Sequence, residues 1–348
     1  MFFSKKIIGI DIGVGSIKIV EISHSGNKNN LLNYGELKTE FIKNPSKGSF
    51  LKFSNDSIAE AIRVILIESK IRTKEVIFSI PDFSTFFTSF EIPYMTQKEI
   101  PGAINYNASQ FITLPISEVA LDWQIMKKNP EDKNSSMIVL LIAIPNKVIQ
   151  DYQIIARLSG LELYALEAEV FGLTRVFGKD DQKIRCILDI GVESSTISIT
   201  EGKYLRKSYS FDFSSSKINN EIESVLKIDK NKIEDLKIKE GLMMQDKNVV
   251  SGVLSLIDNL VSEVKVVVDN FEKEEKRPIQ EICLTGGTAN MIGLKDYFKK
   301  QINKEVSVPN CFSGISYPSS LESSILELSP RFSVAVGASL FGLQKFEI

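Results

Sequence analysis

The sequence predicts an α/β chain of two related lobes, each built on a mixed β-sheet, with a small α+β insert. Three observations predict this. An apolar strand ending in Asp-Ile-Gly occurs twice, as Ile10-Asp11-Ile12-Gly13-Val14 and as Leu188-Asp189-Ile190-Gly191-Val192. The two aspartates stand 178 positions apart in a chain of 348 residues, one per half. A third apolar strand then runs into Thr285-Gly286-Gly287-Thr288-Ala289.

The elements follow in order. Residues 7–12 form an apolar strand interrupted by Asp11, and after a Gly/Ser turn Ile17, Lys18, Ile19, Val20, Glu21 and Ile22 alternate, predicting a hairpin. Residues 27–30 signal the next turn. Ile58, Ala61, Ile62, Ile65 and Leu66 recur at helical spacing, predicting a helix over 57–70 with Asp56 as its cap. Residues 76–92 are strand-like with a break at Pro81. Thr96 and Glu99 have capping-box spacing and open a helix toward Ile112, with Pro101 removing a backbone donor from its first turn. Residues 119–126 and 137–144 are strands around a polar loop, 146–159 a helix stopped by Gly160, and 161–166 a short strand. Residues 186–190 and 196–200 repeat the opening hairpin. Helices are expected over 217–226 and 230–244. Over 253–275, Leu254, Ile257, Val261, Val264, Val268 and Phe271 make one core-facing stripe. A strand at 279–284, the Gly286-Gly287 turn and a helix over 294–302 come next. The Ala- and Gly-rich residues 332–341 suit a closely packed terminal helix. This organisation puts 1–77 with 167–185 in the first lobe, 78–166 in the insert, 186–330 in the second lobe, and 331–348 in a helix packing back on the first.

Composition excludes several classes. The chain is 43% hydrophobic and 25% charged, as in an ordinary soluble globular protein, and its formal net charge of -2 provides no bulk attraction to nucleic acid or acidic lipid. No apolar run is long enough to span a bilayer; 137–145 reads as a buried strand. Lys5 and Lys6 precede an apolar segment that soon meets Asp11 and Lys18, which is not a signal-peptide pattern. Cys186, Cys283 and Cys311 form no zinc spacing and fit a reducing cytosol. His24, the only histidine, lies among polar turn residues and reads as an ordinary loop residue; a His-rich metal site is excluded.

The repeated hairpin has a chemistry. Glycine in a tight turn lets backbone N–H groups approach an anion unobstructed, and Ser and Thr hydroxyls add donors. An aspartate at the strand end repels phosphate but holds magnesium through the ion's retained waters. Gly13-Val14-Gly15 lacks the third glycine of a dinucleotide fingerprint, and no Gly-Lys-Ser/Thr loop occurs. The Gly286-Gly287 turn after a strand allows close approach of a flat group such as adenosine.

These three elements resemble the phosphate-1, phosphate-2 and adenosine motifs of the actin, Hsp70 and sugar-kinase superfamily, with its actin-like/ribonuclease H-like two-lobed fold. Within it the chain resembles the PilM family of type IV pilus assembly proteins, relatives of FtsA, over nearly its full length. The specific parts are Gly9 to Glu21, Ile92-Pro93 with Glu99, Ala103 and Ile104, Gln110 to Ile116, Leu121-Asp122-Trp123-Gln124, Leu284 to Ala289 with Gly293-Leu294, and Phe332 to Gly337 with Gly342-Leu343. The resemblance implies ATP and Mg2+ as ligands, with Asp11 and Asp189 on the magnesium side. Gly13, Gly15, Ser16 and Lys18 would line the first phosphate loop, and Gly191, Ser194, Ser195 and Thr196 the second. Gly286, Gly287 and Thr288 would flank adenosine, Glu234 and Lys237 would reach ribose and base, and Glu169 would approach the γ-phosphate and orient water. One departure is Asp212-Phe213-Ser214-Ser215-Ser216, where the family often has Gly-Gly.

The resemblance further implies a 1C-type insert whose groove holds the N-terminal cytoplasmic tail of a PilN-like inner-membrane protein, with Phe86, Phe87, Phe90, Ile92, Tyr94, Phe111 and Trp123 as lining or supporting residues. Other pilus assembly components would be partners too. Localisation would be cytoplasmic, peripheral at the inner face of the membrane, and indirect, through the partner. ATP turnover and self-association stay open. A small-molecule kinase would need an aspartate base beside a polar pocket, and no sugar-binding block is visible. An FtsA-like division protein would carry a C-terminal amphipathic membrane helix, and an Hsp70-like chaperone a substrate domain; neither is recognisable at 340–348.

Overall fold

A computed structural model describes residues 5–42, 53–96, 98–127, 136–178 and 181–344. The elements are β1 (Lys5–Ile12), β2 (Ser16–Ser25), β3 (Lys28–Lys38), α1 (Asn55–Glu68), β4 (Glu75–Ile80), β5 (Phe86–Ile92), α2 (Ile100–Phe111), β6 (Val119–Lys127) and β7 (Met137–Pro145). Then come α3 (Asn146–Leu158), β8 (Glu162–Ala168), α4 (Glu169–Phe177), β9 (Ile184–Ile190), β10 (Ser195–Glu201), β11 (Tyr204–Phe211), α5 (Ser215–Leu226), α6 (Lys230–Lys239) and α7 (Lys247–Glu275). The chain closes with β12 (Glu281–Thr285), α8 (Leu294–Ile302), β13 (Glu305–Ser307), β14 (Ile315–Ser316) and α9 (Glu322–Gln344).

The sequence repeat is a repeat of topology. One sheet has the order β14-β3-β2-β1-β4-β8, the other β11-β10-β9-β12-β13. In each, an antiparallel three-strand meander is followed by two parallel strands. The same sequence grammar, strand–glycine turn–strand, therefore initiates the same sheet twice.

Packing explains the helices. On one face of the first sheet, Ile58, Ile62 and Ile65 of α1 and Tyr152 and Ile155 of α3 meet Ile8, Ile10 and Phe78. On the other face α9 and α4 cover Ile7, Val20 and Ile77, and the same cluster includes Ile187 and Cys283 of the second sheet. Small residues make this possible. A Cβ on Gly337 would lie 2.4 Å from the Gly172 carbonyl oxygen, and one on Gly9 2.2 Å from that of Ala335. The Ala/Gly-rich segment is thus a close-packing helix, as its composition predicts.

Several boundaries differ from expectation. The insert expected over 78–166 contains its own three-stranded sheet, β5-β7-β6, but α3 and β8 belong to the first lobe: β8 pairs in parallel with β4 and α3 shares the α1 core. Periodicity reports a strand without reporting which sheet it joins. Ser54, not Asp56, caps α1, its Oγ accepting from the Ser57 N–H at 3.2 Å. The helix expected over 230–244 ends at Lys239, because Gly241 takes φ +51° and turns the chain against Ile292. The terminal helix begins at Glu322 and carries Pro330 inside it, earlier than residue 331. His24 lies in β2 with its Nδ1 2.8 Å from Asn29 Oδ1, rather than in a loop. Strands β3, β11, β13 and β14 add to those that the sequence pattern predicts. The polar loop expected between β6 and β7 and the last four residues of the expected terminal helix lie outside the described residues. No described helix is long and apolar enough to cross a membrane.

Candidate functional site

In sheets with parallel strands, ligand sites form at the carboxyl ends of the strands. Here those ends carry Asp11 in β1 with Gly13 after it, Asp82 after β4, Glu169 after β8, Asp189 in β9 with Gly191 after it, and Gly286 after β12. The two glycine turns have one geometry. The Gly13 N–H donates to the Ser16 carbonyl at 3.1 Å, and the Gly191 N–H to the Ser194 carbonyl at 3.0 Å. They face one another: a Cβ on Gly15 would meet Val192 Cγ2 at 2.5 Å. The adenosine-type loop joins them, since a Cβ on Gly286 would meet the Ile190 carbonyl oxygen at 2.4 Å and Asp189 Oδ1 at 2.5 Å. Gly286, at φ +83°, is therefore required by both space and backbone conformation.

The cleft concentrates negative charge. Asp11 is 5% exposed and its Oδ2 accepts from Lys18 Nζ at 2.9 Å. Burial alone would lower the Lys18 pKa, but the Asp11 and Glu36 carboxylates prevail and raise it. Lys18 thus neutralises Asp11 in addition to lying beside the first loop. Asp189 is pushed up to about 6 by burial and by the Asp11 charge. Glu169 is pushed well above the ordinary carboxylate range by burial and then by Asp82, Asp11 and Asp189.

Sequence pattern alone does not single out Asp82. It is 4% exposed, its Oδ1 accepts the Val170 N–H at 3.2 Å, and its Oδ2 is buried with no hydrogen-bond partner. Burial, with the Asp189 charge, pushes it up to about 7. The available signal is its place: Pro81 ends β4, and the next residue sits at the carboxyl end of a strand paired with β1. Glu36 and Arg331 likewise carry no motif. Glu36 accepts from the Ser16 hydroxyl at 2.8 Å and pairs with Arg331 at 3.3 Å. The Ser16 hydroxyl, expected to be a phosphate donor, is thus engaged by Glu36.

In the second loop, Ser195 Oγ donates to the Phe213 carbonyl and Thr196 Oγ1 lies 3.2 Å from Ser210 Oγ, so both hydroxyls brace β10. At the departure from the family pattern, the Ser215 and Ser216 N–H groups bond the Gly191 and Val192 carbonyls at 2.9 and 3.1 Å. The serines therefore fasten the start of α5 onto the second loop. Glu234 and Lys237 form an ion pair at 2.8 Å, and Lys237 Nζ also donates to Ser215 Oγ at 2.9 Å. Burial lowers the Lys237 pKa, with Glu234 opposing it. The Thr288 hydroxyl is buried beside the Gly-Gly turn without a partner.

A magnesium ion fits this donor set in one way only. Among the described residues no three His, Cys, Asp or Glu side chains gather as a protein cage. Asp11 and Asp189 can instead hold an ion that keeps its waters and shares phosphate oxygens, the usual habit of magnesium.

The insert presents a second surface. Register places Phe86, Phe90, Leu121, Trp123 and Ile125 on the face that α2 covers. Phe111 of α2 stacks on Phe90 at 5.5 Å. Phe86, Phe111 and Trp123 are each about 40% exposed there. Ile92 is core, and Phe87 points to the opposite face against Phe171.

Duplicated sheets, facing glycine turns and a cleft at the strand ends define an actin-like ATPase fold. Within that class the chain belongs to the type IV pilus assembly protein PilM family, whose pattern matches residues 9–342. Among solved structures it is similar to a PilM–PilN type IV pilus biogenesis complex, with 20% identity over 97% of this chain and 98% of that one and a TM-score of 0.85. It is also similar to the ethanolamine utilization protein EutJ from Carboxydothermus hydrogenoformans, with 15% identity, 97% and 90% coverage and a TM-score of 0.58. A third is MreB5 of Spiroplasma citri bound to ADP, with 13% identity, 98% and 97% coverage and a TM-score of 0.51.

Proposed function

We propose that the chain is an ATP-binding scaffold of type IV pilus assembly, with nucleotide held between the lobes and a PilN-like tail in the groove of the insert. The observation that carries the nucleotide reading is the pair of identical glycine turns brought face to face, with Gly286 against Asp189 between them. Backbone N–H groups of Val14, Gly15 and Val192 would donate to phosphate. Asp11 and Asp189 would hold magnesium, which supplies charge neutralisation of the phosphates; Lys18 pairs with Asp11 in a buried place. Glu169, whose carboxyl burial pushes well above the ordinary range, would stand with Asp82 on the γ-phosphate side and orient water there. Thr288 and the Gly286–Gly287 backbone would face adenosine, while Glu234 and Lys237 tie α6 to the start of α5 at the base side.

The tail reading is supported by family membership, by the presence of PilN in the similar PilM–PilN complex, and by the exposed Phe86, Phe111 and Trp123 on one face of the insert. Apolar anchors in such a groove offset the ordering cost of a disordered segment. The location that follows is peripheral at the inner membrane face. Calorimetric titration with ATP and magnesium tests the first half; absence of binding by the wild type, or undiminished binding by Asp189→Asn, defeats it. Retention of a PilN-like tail peptide on immobilised protein tests the second, and no retention with or without ATP defeats it.

A further inference from the structure

The strands of the first sheet direct their carboxyl ends into the cleft, so the amino ends of β1, β4 and β8 form an opposite rim. The β2–β3 turn lies at that same end, because β2 runs antiparallel to β1. In the order β3-β2-β1-β4-β8 these ends are neighbours. Each carries an exposed cation: Lys28 at the turn, Lys6 in β1, Lys70, Arg72 and Lys74 before β4, and Arg157 before β8. The segments form one surface. The Glu162 N–H donates to the Lys74 carbonyl at 2.9 Å, and Arg63 Nη1 to the Leu158 carbonyl at 2.6 Å. A Cβ on Gly160 would lie 3.9 Å from Lys74 Nζ. Opposing charge is sparse: Glu75 is held by Lys5 at 3.2 Å, leaving Glu68 and Glu162 on the rim. In a chain of net charge -2 this positive rim is invisible in the total, and the Asp11, Asp82 and Glu169 carboxyls lie at the other end of the same sheet.

A second, independent feature sits among the cations. Ile67 is 72% exposed and Val64 43%, in the last turns of α1. The Lys70 N–H bonds the Ile67 carbonyl at 3.1 Å, so the aliphatic side chain and the basic loop share one corner. Tyr164, 37% exposed, lies under Lys5 Nζ at 4.8 Å on the same rim. An aliphatic residue ringed by cations, with an aromatic near it, matches the interface of an anionic bilayer, where the headgroup region takes the charges and its inner boundary the apolar side chain. Nucleic acid would draw on the cations but gains nothing from a projecting isoleucine.

We propose that this rim is a direct docking surface for an anionic membrane. It is independent of nucleotide and of any tail, and on a tethered molecule it would add avidity and turn the acidic cleft away from the lipid. The test is sedimentation of the full chain, without nucleotide or partner, with vesicles of phosphatidylglycerol and phosphatidylcholine in equal parts, against phosphatidylcholine alone. The wild type should bind the anionic vesicles at low salt, and less at high salt. Each rim cation near such a surface strengthens attachment about five-fold, so Lys70→Glu, Arg72→Glu and Lys74→Glu together should weaken it at least about 100-fold. Ile67→Ser should weaken it about 10-fold. The same charge change on the second lobe, Lys232→Glu, Lys273→Glu and Lys276→Glu, should leave it unaltered. Circular dichroism checks the fold of each variant. No wild-type binding to anionic vesicles, or equal losses in the two triple variants, overturns the proposal. Single-stranded DNA bound as tightly as vesicles, with Ile67→Ser silent, overturns the lipid assignment in favour of a general polyanion site.

Discussion

Asp82→Asn provides the sharpest test of the cleft electrostatics. The substitution keeps an oxygen for the Val170 N–H and removes the charge beside Asp189 and Glu169. Burial pushes the folded-state carboxyl up to about 7 from 3.8. The folded state therefore holds an extra proton between about pH 4 and pH 7, and stability falls as pH rises through that window. One unit corresponds to about 1.4 kcal/mol, so raising the pH from about 5 to about 8 costs the wild type up to about 3 kcal/mol at this site. The variant has no such loss. It does bury an amide where Oδ2 had no partner, at about 1–3 kcal/mol, a term independent of pH. The expectation is a crossing: the variant is the less stable protein near pH 5 and gains on the wild type as pH rises. At about 2 °C per kcal/mol for a chain of this size, the gain is about 4–6 °C in Tm. Thermal unfolding of nucleotide-free wild type and variant across that range reads it. A Tm difference constant with pH would refute the reasoning.

Three further outcomes are expected. Asp11→Ala strands the Lys18 charge in a buried site and should destabilise by about 3–5 kcal/mol in urea unfolding, whereas removing both charges with Lys18→Met should recover most of that loss. Asp189→Asn is accordingly the cleaner variant for nucleotide titration. Gly286→Ala places a Cβ against the Ile190 carbonyl at positive φ, and should lower stability by at least about 2 kcal/mol and abolish nucleotide binding together. Trp123→Ala and Phe111→Ala remove half-exposed rings from one face of the insert; each should weaken tail binding by about 10-fold or more in a fluorescence titration while changing Tm little.

Two kinds of information separate cleanly in this protein. The repeat around Asp11 and Asp189, the glycine turns and the Gly286-Gly287 loop are legible in the sequence because each is a local requirement: a strand period, a tight turn, a backbone that must come close. They suffice for the two-lobed class and for most helices and strands. The strands at β3 and β11 escape because their polar residues mask the alternation. The assignment of β8 and α3 to the first lobe is decided by pairing with β4 and packing on α1, across some 80 residues of chain. Asp82, Glu36 and Arg331 become site residues only through neighbours distant in sequence. Lys18 reads in the sequence as a strand residue lining the first phosphate loop and is the counter-ion of Asp11 in the fold. Likewise a net charge of -2 conceals a basic rim and an acidic cleft at opposite ends of one sheet. Local chemistry is written residue by residue, but burial, charge pairing and the company a side chain keeps depend on which distant segments the fold brings together.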